Sequence, residues 1–231
     1  MNETLLAALR GIPEMENGRR LVVVWGQLGD FDSLEYAQAL VPVLPQLEQA
    51  SIALHAFAIG NAAGRERFCN YSGFPQERLT VVADNTLHQA LGLYSGLASG
   101  AGPWPDLLLM CAGIGSPGTL GEVVRGYTGD RSAPARLSWP LFRLAGSEAA
   151  LRPFELATVR LQNMVEVLGR WRTYVPNDNH LTQRGGTFLL ETDNTLAYEH
   201  RDRGILGFSE TMARPLQFLE PFLAGPIKEA P

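Results

Sequence analysis

The stretch Arg20-Leu21-Val22-Val23-Val24-Trp25-Gly26-Gln27-Leu28-Gly29-Asp30-Phe31-Asp32-Ser33-Leu34-Glu35 decides the fold. Leu21 to Trp25 is a continuous apolar run rich in β-branched residues, which suits a strand covered on both faces of a sheet. A short loop follows. From Ser33 the apolar positions Leu34, Ala37, Leu40 or Val41, Leu44 and Leu47 recur at helical spacing. Ser33 or Asp32 is the expected cap, because a short polar side chain can accept from the first free amides. Pro42 and Pro45 fall inside this helix and are expected to bend it, since each removes a backbone donor.

Outward from this unit the same alternation continues. Ile52 to Ile59 reads as a second buried strand, and a helix from Ala62 to Ser72 stops at Gly73-Phe74-Pro75. Leu79 to Val82 reads as a third strand, and Asp84-Asn85-Thr86 caps a short helix reaching Leu91. Such alternation implies parallel pairing with right-handed crossovers. Upstream, Glu3 to Arg10 forms a short amphipathic helix. Near the end, Gly185-Gly186-Thr187 opens a hairpin whose strands, Phe188 to Glu191 and Leu196 to Glu199, flank Asp193-Asn194. A last helix is expected over Ser209 to Leu223, interrupted near Pro215 and Pro221.

A strand, a tight loop and a proline-bent helix, completed by a late hairpin and helix, resemble the thioredoxin fold. The loop also resembles the peroxiredoxin-like branch of the AhpC/TSA family, which carries Gly-Cys-x-x-Cys-x-Glu at this place. Here it reads Gly29-Asp30-Phe31-Asp32-Ser33-Leu34-Glu35, with Asp30 and Ser33 where the cysteines stand. The stretches Phe68 to Pro75, Asp84 to Gly92, Gln183 to Phe188 and Tyr198 to Arg201 are similar to that family too. The resemblance covers about residues 19–95 and 182–223. It implies one α/β domain over residues 1–231: a central mixed sheet flanked by helices, with a helical insertion at about 96–180. It also implies that Asp30, Ser33 and Arg184 are the equivalents of the peroxidatic site. In that family an arginine ahead of the hairpin strand favours the thiolate, although Arg184 stands one residue away from the family register. A contact between Asp30 and Arg184 is therefore expected, in a pocket that keeps an anion site.

The chain has 231 residues and a net charge of −5, with a pI near 5.4. This balance gives no electrostatic case for nucleic acid. No run approaches the roughly 20 apolar residues of a transmembrane helix, and the first residues do not read as a signal peptide. Cys69 and Cys111 make no disulfide framework, so reduced thiols in a cytoplasmic setting are expected. They are the candidate redox thiols. His55, His88, His180 and His200 lack ligand spacing, and no metal or cofactor is expected.

Leu107 to Ala112, read as an apolar strand, precedes Gly113-Ile114-Gly115-Ser116-Pro117-Gly118 and imitates a dinucleotide fingerprint. Against a nucleotide site, no second apolar strand follows and Pro117 removes an amide from the cradle. Ser116 lacks a hydrolase frame. The run Tyr198 to Gly204 reads as a solvated charged face, with a docking or small-anion site as the alternative. Pro153 to Tyr174 is the strongest helix pattern, with Phe154, Ala157, Leu161, Met164, Leu168 and Trp171 on one stripe. That Phe154–Trp171 face either packs within the chain or meets a partner protein or a second copy.

Two functional classes follow. One is a pseudoenzyme, a degenerate peroxiredoxin-like protein used for binding, assembly or regulation, with no catalytic residues of its own. The other is an antioxidant thiol oxidoreductase of peroxidase type, using Cys69 or Cys111. Nucleotide chemistry through Gly113, Gly115 and Gly118 is a remote third.

Overall fold

The computed structural model describes residues 2–128 and 160–223. Its centre is β1 (Arg19–Gln27). Side chains alternate across a strand, so Leu21, Val23 and Trp25 enter one core while Val22 and Val24 enter another on the opposite face. All five are at most 3% exposed, and burying such a side chain contributes about 1.5–3 kcal/mol. Two cores explain why the strand is apolar without interruption from Leu21 to Trp25.

β1 pairs in parallel with β2 (Ile52–Ile59), which pairs in parallel with β3 (Leu79–Val82). On its other side β1 pairs antiparallel with β4 (Gly186–Leu190), and β4 with β5 (Leu196–Arg201). The order is β3-β2-β1-β4-β5, the mixed sheet of a thioredoxin-like fold. Helices α1 (Asn2–Leu9) and α5 (Thr86–Ala90) cover one face. Helices α2 (Phe31–Leu40), α3 (Leu44–Gln49) and α4 (Ala62–Ser72) cover the other.

The prolines do more than bend the helix after β1. It ends at Leu40, passes through a 3-10 turn at Val41–Val43 and restarts at Leu44. Pro42 cannot donate to the residue four back, whereas Pro45 falls in the first turn of α3, where that donor is not needed. The cap is also not where expected. Asp30 caps α2, so Asp32 and Ser33 lie inside its first turn.

Between the third and fourth strands the chain leaves the sheet. It forms α6 (Pro103–Cys111), α7 (Thr119–Thr128), the helical residues 160–169 (α8) and the short α9 (Trp171–Tyr174). Leu107 to Cys111 is thus helical and not a strand. Leu and Met, unbranched at Cβ, favour a helix, and Pro103 suits its first turn.

Of the expected 153–174 helix, residues 153–159 lie outside the described residues, and the remainder breaks at Arg170. The stripe is only partly its packing face: Trp171 packs against the core and Met164 lines a cavity, but Leu161 and Leu168 are exposed, while Asn163, Glu166 and Val167 are buried. Polar partners draw that side inward. Asn163 bonds Gln38 and Tyr71, and Glu166 bonds Arg67 and Tyr174.

The last expected helix is absent from the described part of its range, 209–223, which holds turns and a 3-10 segment at Gln217–Phe222. Pro215 and Pro221 forbid a continuous ladder, yet Leu216, Leu219 and Leu223 remain buried. Among the described residues no helix is long and apolar enough to cross a membrane.

Candidate functional site

The site forms where β1 gives way to α2. As the cap, Asp30 accepts from Asp32 N through Oδ1 at 3.2 Å. Its Oδ2 stands 2.9 Å from Arg184 Nη1, and Arg184 Nη2 stands 3.3 Å from Asp32 Oδ2. Arg184 arrives from the residues just before β4. A Cβ at the next position, Gly185, would lie 2.1 Å from the Val24 carbonyl oxygen. Only glycine lets the incoming chain lie flat against the end of β1 and deliver the guanidinium to the start of α2.

A second guanidinium comes from α8. Arg160 lies 3.4 Å from Asp32 Oδ1 and also pairs with Glu35, one turn further along α2. Asp202, at the end of β5, adds its field to Arg184 and Asp30. His200 Nε2 is 3.2 Å from Asp202 Oδ1, near enough to pair but out of hydrogen-bond line.

Burial dominates the electrostatics. It raises Asp30 above the usual carboxylate range, against the pull of Arg184. Burial and then the neighbouring Asp30 push Asp32 well above that range. For Arg184, burial alone would lower the pKa, but Asp30, Asp32 and Asp202 together hold it above its ordinary value. The expected Asp30–Arg184 contact is present. The expected anion site takes a different form, because both terminal nitrogens of Arg184 already hold carboxylates of this chain.

Above the pair lies a cavity of about 270 Å³, walled by apolar side chains including Phe31, Leu107, Met164 and Trp171. Gln27, Asp30, Arg160, Arg184 and Cys111 also line it. Gln27 donates from Nε2 to the Asn177 carbonyl at 2.7 Å, and its Oε1 has no partner among the described residues.

Of the two thiols, only Cys111 reaches this cavity. It closes α6 and is exposed, yet partial desolvation beside the cavity raises its pKa, opposed by Arg184. Cys69 sits on α4 in the core, where burial lifts it to about 11. Both are free. Ser33 is buried in the first turn of α2.

The glycine-rich loop joins two helices, α6 and α7, instead of a strand and a helix, so the nucleotide fingerprint loses its context. Ser116 is a structural pin: it is buried, contacts Thr119 and accepts from Ile205 N at 2.8 Å. The charged run at the end of β5 is not uniformly solvated, since Asp202 is buried and Arg201 reaches the Leu91 carbonyl. Among the described residues no three histidines, cysteines or carboxylates are placed to hold a metal.

Arg160 and Gln27 are site residues that the sequence did not single out, and Asp32 was expected only as a helix cap. Asp32 was discernible in retrospect, two residues after the cap. Arg160 has no sequence signal, standing 128 positions from the Asp32 it contacts.

A mixed five-stranded sheet, with the site at the junction of its central strand and the following helix, defines a thioredoxin-fold protein. The chain belongs to the AhpC/TSA antioxidant enzyme family, whose profile matches residues 39–204. The match begins inside α2, downstream of Asp30, and includes the helical region that the quoted motifs left out. No curated protein and no solved structure matches the chain.

Proposed function

We propose that this protein is a non-peroxidatic binding module, with the cavity above Asp30 and Arg184 as its ligand site. The observation that carries the reading is the Asp30 carboxylate seated on Arg184 at 2.9 Å. Peroxide reduction needs a thiolate that can become a sulfenic acid. A carboxylate satisfies the same helix start and the same guanidinium but cannot be oxidised in that way. On this reading the protein is a pseudoenzyme, and any assembly or regulatory role acts through occupancy of the cavity.

A second reading, a thiol oxidoreductase, draws on Cys111 at the cavity wall. Cys111 is exposed, unlike the buried Cys69, but its pKa is raised by partial desolvation beside the cavity against the pull of Arg184, and a raised pKa disfavours the thiolate.

Consumption of hydrogen peroxide and of an alkyl hydroperoxide, with dithiothreitol or thioredoxin as reductant, separates the two. The expected rate is background. Robust turnover that disappears in Cys111→Ser or Cys69→Ser would establish the second reading. Binding is tested with a solvatochromic apolar dye, expected to brighten with the wild type and not with Leu107→Trp, which fills the cavity.

A further inference from the structure

We propose that the outer surface of α6, α7 and α8 is a self-association face, whose occupant is the same surface of a second copy of this chain. The inference rests on exposure and charge and is independent of what the cavity binds. Among the described residues, every exposed large apolar side chain lies in these helices or the turn between α6 and α7. There are eight, 43–68% exposed, between residues 104 and 168. The strands and the helices that cover the sheet leave none.

The helices set the arrangement. On α6, Asp106 and Met110 turn inward, which leaves Trp104 and Leu108 outward at a spacing of four. On α8, Asn163, Glu166 and Val167 turn inward, and Leu161, Val165 and Leu168 form one outward stripe. Leu120 of α7 lies over the end of α6, where a Cβ on Gly113 would stand 2.9 Å from its Cγ. The inner sides of the three helices meet around the same cavity, through Leu107, Val123 and Met164. Their outward stripes are therefore neighbours around its rim.

Charge and area select the occupant. Over residues 103–124 and 160–170 the exposed positions carry a single charged side chain, Arg170, and it pairs with Glu166. Elsewhere the surface is charged in the ordinary way, as Glu3, Arg10, Glu14 and Glu16 show. A lipid surface is the poorer fit. Helices that lie in a membrane interface carry lysine and arginine on their polar side, and a net charge of −5 opposes an anionic bilayer. A two-fold contact brings each face against itself, so a charged face is repelled and a neutral one is not. At roughly 100 Å² for each half-exposed side chain, the eight supply about 800 Å² per copy, the share of one partner in a standard interface. A monomer ordinarily leaves only roughly a few hundred Å² of apolar surface open in one patch.

Sedimentation velocity of the wild-type chain over about 1–100 μM tests this, because self-association follows mass action. A monomer–dimer equilibrium is expected. Its dissociation constant should rise about tenfold or more in Val165→Glu and in Leu108→Glu, both exposed positions, with folding checked by circular dichroism. Glu66→Lys on α4, outside the face, should leave it within about threefold. Cys111, exposed on the same side of α6 as Trp104 and Leu108, should be alkylated more slowly as wild-type concentration rises, and at a constant rate in Val165→Glu. A chain that stays monomeric over that range, or a dimer that both glutamate variants leave intact, overturns the proposal. Monomers that co-float with phosphatidylcholine vesicles would assign the face to lipid and overturn it too.

Discussion

Arg184 Nη1 meets Asp30 Oδ2 at 2.9 Å, tying the residue ahead of β4 to the cap of α2. The tie is not symmetric, because Arg184 has a second carboxylate in Asp32 while Asp30 has no second guanidinium within ion-pair distance among the described residues. Removing the arginine leaves Asp30 with no ion partner among the described residues and Asp32 with Arg160 alone; removing the aspartate leaves the arginine partly compensated by Asp32. Arg184→Ala should therefore cost about 3–5 kcal/mol. Asp30→Ala should cost less, roughly 1–3 kcal/mol from the lost cap and pair. The double variant should lose clearly less than the sum in urea unfolding. Small, strictly additive losses would show that the groups do not act as a unit.

Asp30→Cys places a thiol where the carboxylate now sits, at the start of α2 and within reach of Arg184. The helix terminus and the guanidinium both favour the thiolate. Slow sulfenylation by hydrogen peroxide is expected, detected as a dimedone adduct by mass spectrometry. The adduct should be absent from the wild type and reduced in Asp30→Cys combined with Arg184→Ala. Equal labelling in both cysteine variants would remove any role for the arginine.

His55 on β2 is buried, bonded to Thr80 at 2.9 Å, and lowered by burial from 6.5 to about 4. Between those values the unfolded chain takes up a proton that the folded chain refuses. Stability conferred by the neutral ring is thus present above pH ~6.5 and lost as pH falls toward 4, on the order of 2–3 kcal/mol. His55→Gln removes the titration. The stability difference between wild type and variant should shift by that amount between neutral and acid pH, and parallel profiles would refute the assignment.

Gly26 lies at the end of β1, where a Cβ would stand 2.4 Å from the Gln183 carbonyl oxygen. The obstacle is backbone, so relief requires moving the segment that carries Arg184. Gly26→Ala should cost about 1–3 kcal/mol or more and weaken whatever the cavity binds. A neutral effect on thermal unfolding would mean that this approach is loose.

The sheet was legible from the sequence because four of its strands carry apolar runs and all are bounded by turn residues; β1, β2, β3 and the β4–β5 hairpin fall where Leu21–Trp25, Ile52–Ile59, Leu79–Val82 and Phe188–Glu199 indicated. The helical region between was less so. Leu107–Met110 is apolar in either secondary structure, and length alone could not arbitrate. In α8 the apolar stripe misled, because Asn163 and Glu166 are drawn inward by Gln38 and Arg67, partners that no local pattern reveals. At the site, Asp30 and Arg184 could be paired through the family resemblance. Arg160 and the doubled occupancy of Arg184 depend on long-range packing.

The position of β4 beside β1 also has a consequence for the order of events in folding. Arg20 of β1 bonds the carbonyl of Glu191, 171 residues later, whereas β1, β2 and β3 are neighbours in sequence as well as in space. Closing so long a loop is entropically slow. During synthesis the first three strands can assemble while the hairpin has yet to emerge, leaving one edge of β1 unpaired and Asp30 and Asp32 solvated. Zipping β4 onto that edge both covers an aggregation-prone strand and brings in Arg184, so the charged junction closes last. Pulsed hydrogen exchange during refolding should find amides of β2 protected before those of β4.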